Sequence, residues 1–288
     1  MPQLAYVDGR IVPLSHASVS VEDRGLQFAD SLYEVCSIFN GQLLDWPLHI
    51  ARLRRGLAAL FIDFPMSDAA LGLVARRLIA ANGHHEAILY IQVTRGHAKR
   101  DHPFPKAARA TLIMTVRRFD FAQRRGQQQT GISVITLPDL RWRRVDLKTT
   151  GLLPNVLAKQ DARAEGAFEA WFVSEAGIVH EGSSTNAWIV KNGTIITHPL
   201  SEHILPGIAR HSLIALARAD GLTVEERPFS LAEALEADEA LLTSTTAPLL
   251  PVVRIDGHPV GSGTPGPVAD RLAKLVSGEI ARQTGWHG

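Results

Sequence analysis

Two segments, Leu147-Lys148-Thr149-Thr150-Gly151 and Glu181-Gly182-Ser183-Ser184-Thr185-Asn186, are the most informative part of this sequence. The first places a lysine in a strand-like stretch, and the second places a carboxylate in a small, polar turn that contains glycine. A lysine amine can form a Schiff base, and a carboxylate can keep a pyridinium nitrogen protonated. Either residue alone is weak support for such chemistry, because most lysines and glutamates are simply exposed.

The composition indicates a globular protein with a substantial core. The chain has 288 residues, of which 45% are hydrophobic and 20% charged, and this length is comfortable for two domains. The formal net charge of +1 gives no support for nucleic acid or an anionic membrane as a partner. The run Arg141-Trp142-Arg143-Arg144 resembles a basic patch, but on so balanced a chain a patch is a weak interpretation.

A single cysteine, Cys36, excludes an internal disulfide and a metal site with several cysteines, and no metal site is predicted. Its apolar surroundings favour a buried structural thiol. The N-terminal residues lack the features of a signal peptide, and the uncharged stretch from Ala240 to Val253 is too short to cross a bilayer. We therefore expect a cytoplasmic protein.

The first part of the chain alternates between helical and strand patterns. Apolar residues from Ile50 to Leu60 recur at helical spacing, and a second helix is predicted from Asp68, as the N-cap, to a stop at Asn82-Gly83. Strands are predicted for residues 87–95 and 110–117. The polar stretch 122–130 has no apolar periodicity and is interpreted as a linker. The predicted domains are therefore residues 1–121 and 131–288.

The second part has a richer strand pattern. Asn192-Gly193 between two apolar runs predicts a hairpin, and Ser230-Leu231-Ala232-Glu233 has the spacing of a capping box. Strands are predicted at 132–137, 168–173 and 187–190, and helices at about 155–165, 207–219, 231–237 and 267–283. The predicted fold class is thus mixed α/β (α+β), with a small N-terminal α/β domain and a larger, strand-rich C-terminal domain.

Three further places suit ligand binding, although each also has an ordinary structural interpretation. Leu205-Pro206-Gly207-Ile208-Ala209 leads into a helix whose first amides can bind a phosphate. Thr243-Ser244-Thr245-Thr246 places hydroxyls after a strand, where they can bind a phosphate or simply complete a turn. Arg100-x-His102, in a charged loop, suits capture of a carboxylate.

Taken together and in order, these segments resemble the fold-type IV pyridoxal-phosphate enzymes, and within them the D-amino-acid aminotransferases. The resemblance covers nearly the whole chain. Its best further segments are Tyr33-Glu34-Val35, His49-Ile50-Ala51-Arg52-Leu53, Gln92-Val93-Thr94-Arg95-Gly96, Asp146-Leu147-Lys148 and Leu157-Ala158-Lys159-Gln160. Several ordered matches are far more specific than any single one.

The resemblance implies a role for each site residue. Lys148 would hold pyridoxal 5'-phosphate covalently and move a proton, and Glu181 would bind the pyridinium nitrogen. The implied phosphate contacts are Arg52, the amides of Ile208 and Ala209, and the hydroxyl of Thr245. The implied trap for the substrate carboxylate is Tyr33, Arg100 and His102. In the family the loop with the last two comes from the neighbouring subunit, which implies a homodimer with shared active sites.

The implied reaction is ping-pong transamination between D-amino acids, such as D-alanine, and 2-oxo acids, such as 2-oxoglutarate. The Arg100-x-His102 match favours this over the relatives that share the lysine and the glutamate. Those alternatives are a branched-chain or (R)-amine transaminase and an aminodeoxychorismate lyase. A binding protein that keeps the fold without catalysis is a further alternative, against which Lys148 and Glu181 argue.

The sequence departs from the family pattern at three points. Ala29-Asp30-Ser31 stands where Gly-Asp-Gly is more usual, Ala209 stands where threonine is frequent, and Pro154 is unusual. We expect these changes to affect cofactor affinity and the range of substrates, and to leave the chemistry itself intact.

Overall fold

The computed structural model describes residues 3–287, which form two compact units. The first unit contains residues 3–120, Leu147–Gly151 and Gln283–Trp286. The second unit contains Phe121–Asp146 and Leu152–Arg282, together with residue 287. The segment with Lys148 thus belongs to the first unit, although it lies far along the chain from the rest of that unit.

The first unit is built on one antiparallel sheet. Its strands within the described residues are β1 (Leu4–Val7), β2 (Arg10–Pro13), β3 (Ser31–Phe39), β4 (Gln42–Leu43), β5 (Ala87–Thr94) and β6 (Thr111–Arg118), in the order β2-β1-β6-β5-β3-β4. Its helices are α1 (Arg24–Phe28), α2 (Trp46–Ala59) and α3 (Asp68–Asn82). The core lies between this sheet and helices α2 and α3, and it includes the fully buried Cys36, as predicted.

Helix α3 begins one residue away from the predicted N-cap. The hydroxyl of Ser67, and not the side chain of Asp68, accepts the hydrogen bond from the amide of Ala70 at 3.2 Å. Ser67 is extended, as an N-cap residue must be, whereas Asp68 already lies in the first turn. The predicted end is confirmed, because Gly83 adopts the left-handed conformation with φ of 66°.

The second unit is built on a mixed sheet of nine strands within the described residues. These are β7 (Ile132–Pro138), β8 (Glu169–Val173), β9 (Val179–Gly182), β10 (Asn186–Lys191), β11 (Thr194–Thr197), β12 (Val224–Glu226), β13 (Glu239–Thr243), β14 (Leu250–Ile255) and β15 (His258–Pro259). The order is β12-β11-β10-β13-β14-β7-β8-β9, with β15 paired to β14. Strand β7 is parallel to both β14 and β8, and β12 is parallel to β11.

Both faces of the central strands are buried. Trp188 and Val190 of β10 lie in one core, and Ala187 and Ile189 lie in another. Because successive strand residues point to opposite faces, these strands read as continuous apolar runs. The helices of this unit are α4 (Phe121–Thr130), α5 (Leu153–Ala164), α6 (Ile208–Ala219), α7 (Leu231–Leu235) and α8 (Pro267–Thr284), the last two residues of which group with the first unit.

The stretch predicted as a linker at 122–130 is a helix, α4. Its arginines and glutamines are good helix formers, so the helix needs no apolar periodicity beyond its buried first residue, Phe121. The predicted domain bounds of 1–121 and 131–288 remain predictions. The hairpin at Asn192-Gly193 is confirmed, with φ of 50° and 75°, as is the cap of α7, where the Ser230 hydroxyl accepts from the Glu233 amide.

The mixed α/β character predicted from the sequence is confirmed, and Pro154 lies in the first turn of α5, where proline needs no amide partner. Among residues 3–287, the helices are all too short or too polar to cross a bilayer.

Ala29 adopts a left-handed conformation, with φ of 54°, at the end of α1. It stands at the position where the resembled family more usually has glycine, and a side chain costs about 1 kcal/mol in this region. We therefore expect Ala29→Gly to raise the free energy of unfolding by about 0.5 kcal/mol, after the entropy of the unfolded glycine is subtracted. Denaturation with urea measures this change.

The control is Ala80→Gly, at an exposed position inside helix α3. The helical backbone at this position suits alanine, and glycine loses more conformational entropy on folding. The free energy of unfolding should therefore fall by roughly 0.5–1 kcal/mol. If both substitutions destabilise the protein equally, Ala29 is not strained.

Candidate active site

In the first unit, the Lys148 segment pairs with the start of strand β3. The amide of Tyr33 donates to the carbonyl of Lys148 at 3.0 Å, and Leu32 and Thr149 form an antiparallel bridge. The Lys148 amine nitrogen lies 4.2 Å from the centre of the Tyr33 ring. Two residues predicted for the same site, Lys148 and Tyr33, are thus brought into contact within one unit.

Tyr33 is itself held by a second tyrosine. Its ring stacks on that of Tyr90 at a centroid distance of 5.6 Å, and the Tyr90 hydroxyl donates to the side chain of Gln92 at 2.8 Å. Burial raises the pKa of Tyr90 to about 12, so this tyrosine stays a neutral hydrogen-bond donor. Stacking on Tyr90 therefore holds the Tyr33 ring in the orientation in which it contacts the Lys148 amine.

Arg52, predicted to bind phosphate, is held by a buried carboxylate. Its Nε and Nη2 atoms both donate to Glu34 at 2.7 Å, and Nδ1 of His49 lies 2.7 Å from the same carboxylate. Burial alone would raise the pKa of Glu34, but the charges and hydrogen bonds of Arg52 and His49 outweigh it and lower the pKa to about 2. Glu34 therefore fixes the plane of the Arg52 guanidinium.

Arg100 and His102 are exposed, and both pack against the Phe28 ring. The Arg100 guanidinium is 4.6 Å from the centre of that ring, and the centre of the His102 ring is 5.8 Å away from it. The backbone of this loop is anchored, because buried Arg24 donates to the carbonyls of Asp101 and His102. The predicted carboxylate trap thus has an anchored base and accessible donors.

In the second unit, Glu181 is buried at the end of β9 and binds three donors. Arg141 Nη1 donates to Oε1 at 2.5 Å, and Oε2 accepts from Asn186 Nδ2 at 2.9 Å and from the amide of Leu205 at 3.0 Å. Burial raises the pKa of Glu181 to about 7, against the opposing effects of Arg141 and Leu205. A cation placed next to this carboxylate would therefore restore its charge at neutral pH.

Arg141 belongs to the candidate site although it was not predicted there, because its sequence neighbours Trp142, Arg143 and Arg144 resemble an exposed basic patch. Its side chain is 3% exposed, and besides Glu181 it binds Asp139 through Nε at 2.9 Å and Nη2 at 2.8 Å. His180 Nδ1 also contacts Asp139, at 2.8 Å. The sequence carries only a faint signal for this ion pair, namely an aspartate two residues before the arginine.

Asn186 connects Glu181 to the elements that carry the predicted phosphate residues of the second unit, namely Ile208, Ala209 and Thr245. Asn186 Nδ2 donates to Glu181 and also, at 2.9 Å, to the carbonyl of Leu205. An added Cβ on Gly207 would lie 2.0 Å from Asn186 Oδ1, so only glycine fits immediately before Ile208. Gly207 is the N-cap of helix α6 and has no side chain that could cap it, and the first amides of a helix suit an anion.

Thr245 lies in the loop after β13, whose last residue, Thr243, pairs with Asn186 across the sheet. This loop closes on itself, since the amide of Ser244 donates to the carbonyl of Ala247 at 2.8 Å. Within the second unit, Glu181, the start of α6 and the Thr245 loop therefore all adjoin Asn186 or its strand partner. The chemical roles of these residues remain predictions.

Comparison with known proteins identifies the family. The family described as Amino-transferase class IV matches residues 31–255. A D-alanine aminotransferase from Bacillus licheniformis is 40% identical over 277 residues, which cover 96% of this chain and 97% of that protein. The chain belongs to the class IV aminotransferases.

Solved structures agree with this class IV fold. A branched-chain aminotransferase from the thermophilic archaeon Thermoproteus uzoniensis, with norvaline, superposes with a TM-score of 0.85. It is 26% identical, and the match covers 99% of this chain and 98% of that one. The branched-chain amino acid aminotransferase from Escherichia coli gives a TM-score of 0.90 at 24% identity, covering 96% and 94% of the two chains.

The raised pKa of Glu181 predicts a pH-dependent cost to stability. A carboxyl group with a pKa of about 4.5 when unfolded and about 7 when folded destabilises the protein progressively as the pH rises through this range. Glu181→Gln removes the titration. The melting temperature of the cofactor-free variant, relative to wild type, should therefore rise by roughly 3 °C or more between pH 5 and pH 8.

Glu175→Gln, at an exposed position in the same β8–β9 hairpin, is the matched control and should give a flat difference. A flat difference for Glu181→Gln as well would contradict the assignment of a raised pKa.

Proposed function

We propose that this class IV aminotransferase transfers amino groups between D-amino acids and 2-oxo acids, with pyridoxal phosphate as its cofactor. Identities of 35–40% to D-alanine aminotransferases over more than nine-tenths of the chain support the choice of substrate. The structural observation that carries the choice of cofactor is the buried carboxylate of Glu181, with its pKa near 7. A carboxylate so placed suits a protonated ring nitrogen.

The residues fit this cofactor at both of its ends. Hydrogen bonds from Asn186 and from the amide of Leu205 to Oε2 hold the Glu181 carboxylate in one orientation, in which it suits the ring nitrogen. The N-terminal amides of α6 suit the phosphate group. When bound, pyridoxal phosphate supplies an electron sink conjugated to the amino carbon of the substrate. The charge of Glu181 maintains that sink by stabilising the ring proton.

Lys148 is the proposed covalent attachment point and proton carrier. Only its neutral amine can attack a carbonyl or accept a proton from the substrate Cα atom. The Tyr33 ring lies against the amine, and pairing with β3 fixes the backbone of Lys148. This arrangement restricts the amine to a small range of positions, as a stereospecific proton transfer requires.

Tyr33, Arg100 and His102 are the proposed trap for the substrate carboxylate. A guanidinium and an imidazole on an anchored loop can hold a carboxylate by hydrogen bonds that carry charge. Fixing this group on one side of the cofactor determines which substituent of the Cα atom faces the lysine. The trap is thus the proposed origin of the preference for D-amino acids.

We further propose that the enzyme is a homodimer in which Arg100 and His102 serve the neighbouring subunit. Both side chains are exposed in the single chain, although charged hydrogen bonds to a substrate strengthen where water is excluded. Helix α5 also exposes Leu153, Val156 and Leu157 in one apolar row, which suits burial by a second copy. A cytoplasmic location remains a prediction from the sequence.

A branched-chain aminotransferase is the second candidate, because the solved structures with similar folds include several of that activity. Their identities of 24–27% are lower than those of the D-alanine aminotransferases. The two candidates differ in the hand of the amino acid that they use.

Replacement of Lys148 by alanine tests the covalent role. We expect Lys148→Ala to lower transamination of D-alanine by at least roughly a thousandfold, since both attachment and proton transfer are lost. Reduction of the wild-type holoenzyme with borohydride, followed by peptide mass spectrometry, should place the cofactor mass on Lys148. Lys274→Ala, at an exposed position of α8, should behave as wild type. Attachment at another lysine would contradict the assignment.

Replacement of Arg100 by alanine tests the carboxylate trap. Loss of a charged hydrogen bond costs about 1.5–3 kcal/mol, so the KM for D-alanine should rise by roughly 10- to 100-fold. An (R)-amine that lacks a carboxylate should be unaffected. Lys99→Ala, in the same exposed loop, is the control for net charge. Equal losses with both substrates would show that Arg100 does not bind the carboxylate.

A further inference from the structure

Helix α1 carries two side chains that contact the loop with Arg100 and His102, and all of these residues lie in the first unit. Arg24 and Phe28 stand four residues apart, so they lie on the same face of this short helix. Arg24 is buried, with 4% of its surface exposed, and Phe28 is half-buried. Neither residue belongs to the predicted carboxylate trap, and the reaction proposed above gives neither of them a role.

The guanidinium of Arg24 binds the backbone of this loop at three consecutive residues. Nη1 donates to the carbonyls of Asp101 and Pro103 at 2.7 and 3.4 Å, and Nη2 donates to that of His102 at 3.2 Å. The N–H groups of a guanidinium form a rigid, planar fork, so the three carbonyls must all turn towards it. One buried side chain thus holds the backbone that follows Arg100.

Asp30 keeps Arg24 in place. Its Oδ2 accepts from Nε of Arg24 at 2.8 Å and from Nε of Arg95 at 2.7 Å, and Oδ1 accepts from Nη2 of Arg95 at 2.9 Å. Burial would raise the pKa of Asp30, but the hydrogen bonds and charges of Arg95 and Arg24 lower it. The Arg95 guanidinium also lies 3.7 Å from the centre of the Phe104 ring, so both arginines on this carboxylate contact the loop.

Phe28 contacts the side chains of the trap. The guanidinium carbons of Arg24 and Arg100 lie 4.8 and 4.6 Å from the centre of its ring, and the centre of the His102 ring is 5.8 Å away. A guanidinium that rests on an aromatic face keeps its N–H groups free in its own plane, where they can bind a carboxylate. The ring therefore orients Arg100 without using any of its hydrogen-bond donors.

We propose that Arg24 and Phe28 are positioning residues that arrange the carboxylate trap before the substrate binds. Arg24 fixes the backbone of the loop, and Phe28 fixes the side chains of Arg100 and His102. The inference rests on the proposed function, in which these two side chains bind the substrate carboxylate. Arranging them in advance removes the entropy cost of ordering a long side chain and its loop at each binding event. Because D-amino acids and 2-oxo acids both carry the carboxylate, the arrangement serves both half-reactions.

Replacement of Phe28 by leucine tests the support of the side chains in the holoenzyme. Leucine keeps the position apolar but has no aromatic face for a guanidinium. The KM values for D-alanine and 2-oxoglutarate should each rise about fivefold, and kcat should change by less than about twofold, because the trap binds substrate and transition state alike. Phe28→Tyr, which keeps an aromatic face, should leave both KM values close to those of wild type.

Replacement of Arg24 by lysine tests the support of the backbone. The lysine ammonium can still pair with Asp30, but it lacks the planar fork that reaches three carbonyls. Both KM values should rise roughly tenfold. Trypsin should also cut after Lys99 and Arg100 faster than in wild type, as measured by mass spectrometry of the released peptides. Phe28→Leu should leave the rate of this cleavage unchanged, because the carbonyls stay bound.

Arg54 offers a matched control, because its guanidinium holds another loop by the same kinds of contact. It pairs with Asp68 at 2.8 Å, donates to the carbonyls of Phe64 and Met66, and lies 5.2 Å from the centre of the Phe64 ring. Neither Phe64 nor Met66 is assigned to the substrate. Arg54→Lys should therefore leave both KM values and the cleavage after Arg100 as in wild type.

Removal of the trap tests whether both residues act through Arg100 and His102. In a protein with Arg100→Ala and His102→Ala, Phe28→Leu and Arg24→Lys should each change kcat/KM for D-alanine by less than about twofold. Undiminished effects in this background would overturn the inference. A fall in kcat at unchanged KM in the single variants, or no change in either KM, would overturn it as well.

The Phe28 variants keep the ion pairs of Asp30 intact, so they decide the question alone if Arg24→Lys does not fold. The proposed function fails in a different way, namely if the wild-type protein itself transfers no amino group from D-alanine.

Discussion

The burial of the Glu181 carboxylate beside Arg141 is the constraint on which the second unit depends. Asp139 and Glu181 share the single guanidinium of Arg141, so two carboxylates compete for one cation. Burial would raise the pKa of Asp139, yet Arg141 and His180 lower it well below its usual range. Glu181, in contrast, keeps a pKa raised to about 7. In the proposed function, a protonated ring nitrogen would add a further positive charge beside Glu181.

The same carboxylate organises the backbone around it. Through Asn186 it is tied to Leu205 and hence to the turn before helix α6, where Gly207 packs against the asparagine. On its other side, the turn that starts at Gly182 rests on Glu169. The position of the charge, the start of the helix and the direction of the two serine hydroxyls in that turn are thus parts of one hydrogen-bonded structure.

The sequence predicted the structure correctly where a short motif permits only one backbone conformation. Gly83 and Asn192-Gly193 require left-handed backbone, and the structure has it at both places. The resemblance in ordered motifs indicated the family that the comparisons identify. In the first unit, the predicted residues Lys148 and Tyr33 are in contact. In the second unit, Glu181 adjoins the elements that carry Ile208 and Thr245.

The sequence was uninformative where the outcome depends on contacts between distant residues. In the sequence Arg141 resembles a surface arginine, and only the fold brings Glu181 of β9 next to it. Glu169 resembles an ordinary strand glutamate, and only the fold packs the turn with Ser183 and Ser184 over it. Helix α4 was not predicted, because the stretch 122–130 has no apolar periodicity. Beyond the spacing of Asp139 and Arg141 and the good helix formers of α4, these features have no local signal in the sequence.

The most direct test of the central claim is a pair of half-reactions with the purified holoenzyme, followed by the visible absorbance of the bound cofactor. Addition of D-alanine without an acceptor should deplete the band, and 2-oxoglutarate should restore it. L-Leucine at the same concentration should leave the band unchanged. Depletion by L-leucine and not by D-alanine would contradict the account, because the carboxylate trap would then select the opposite hand.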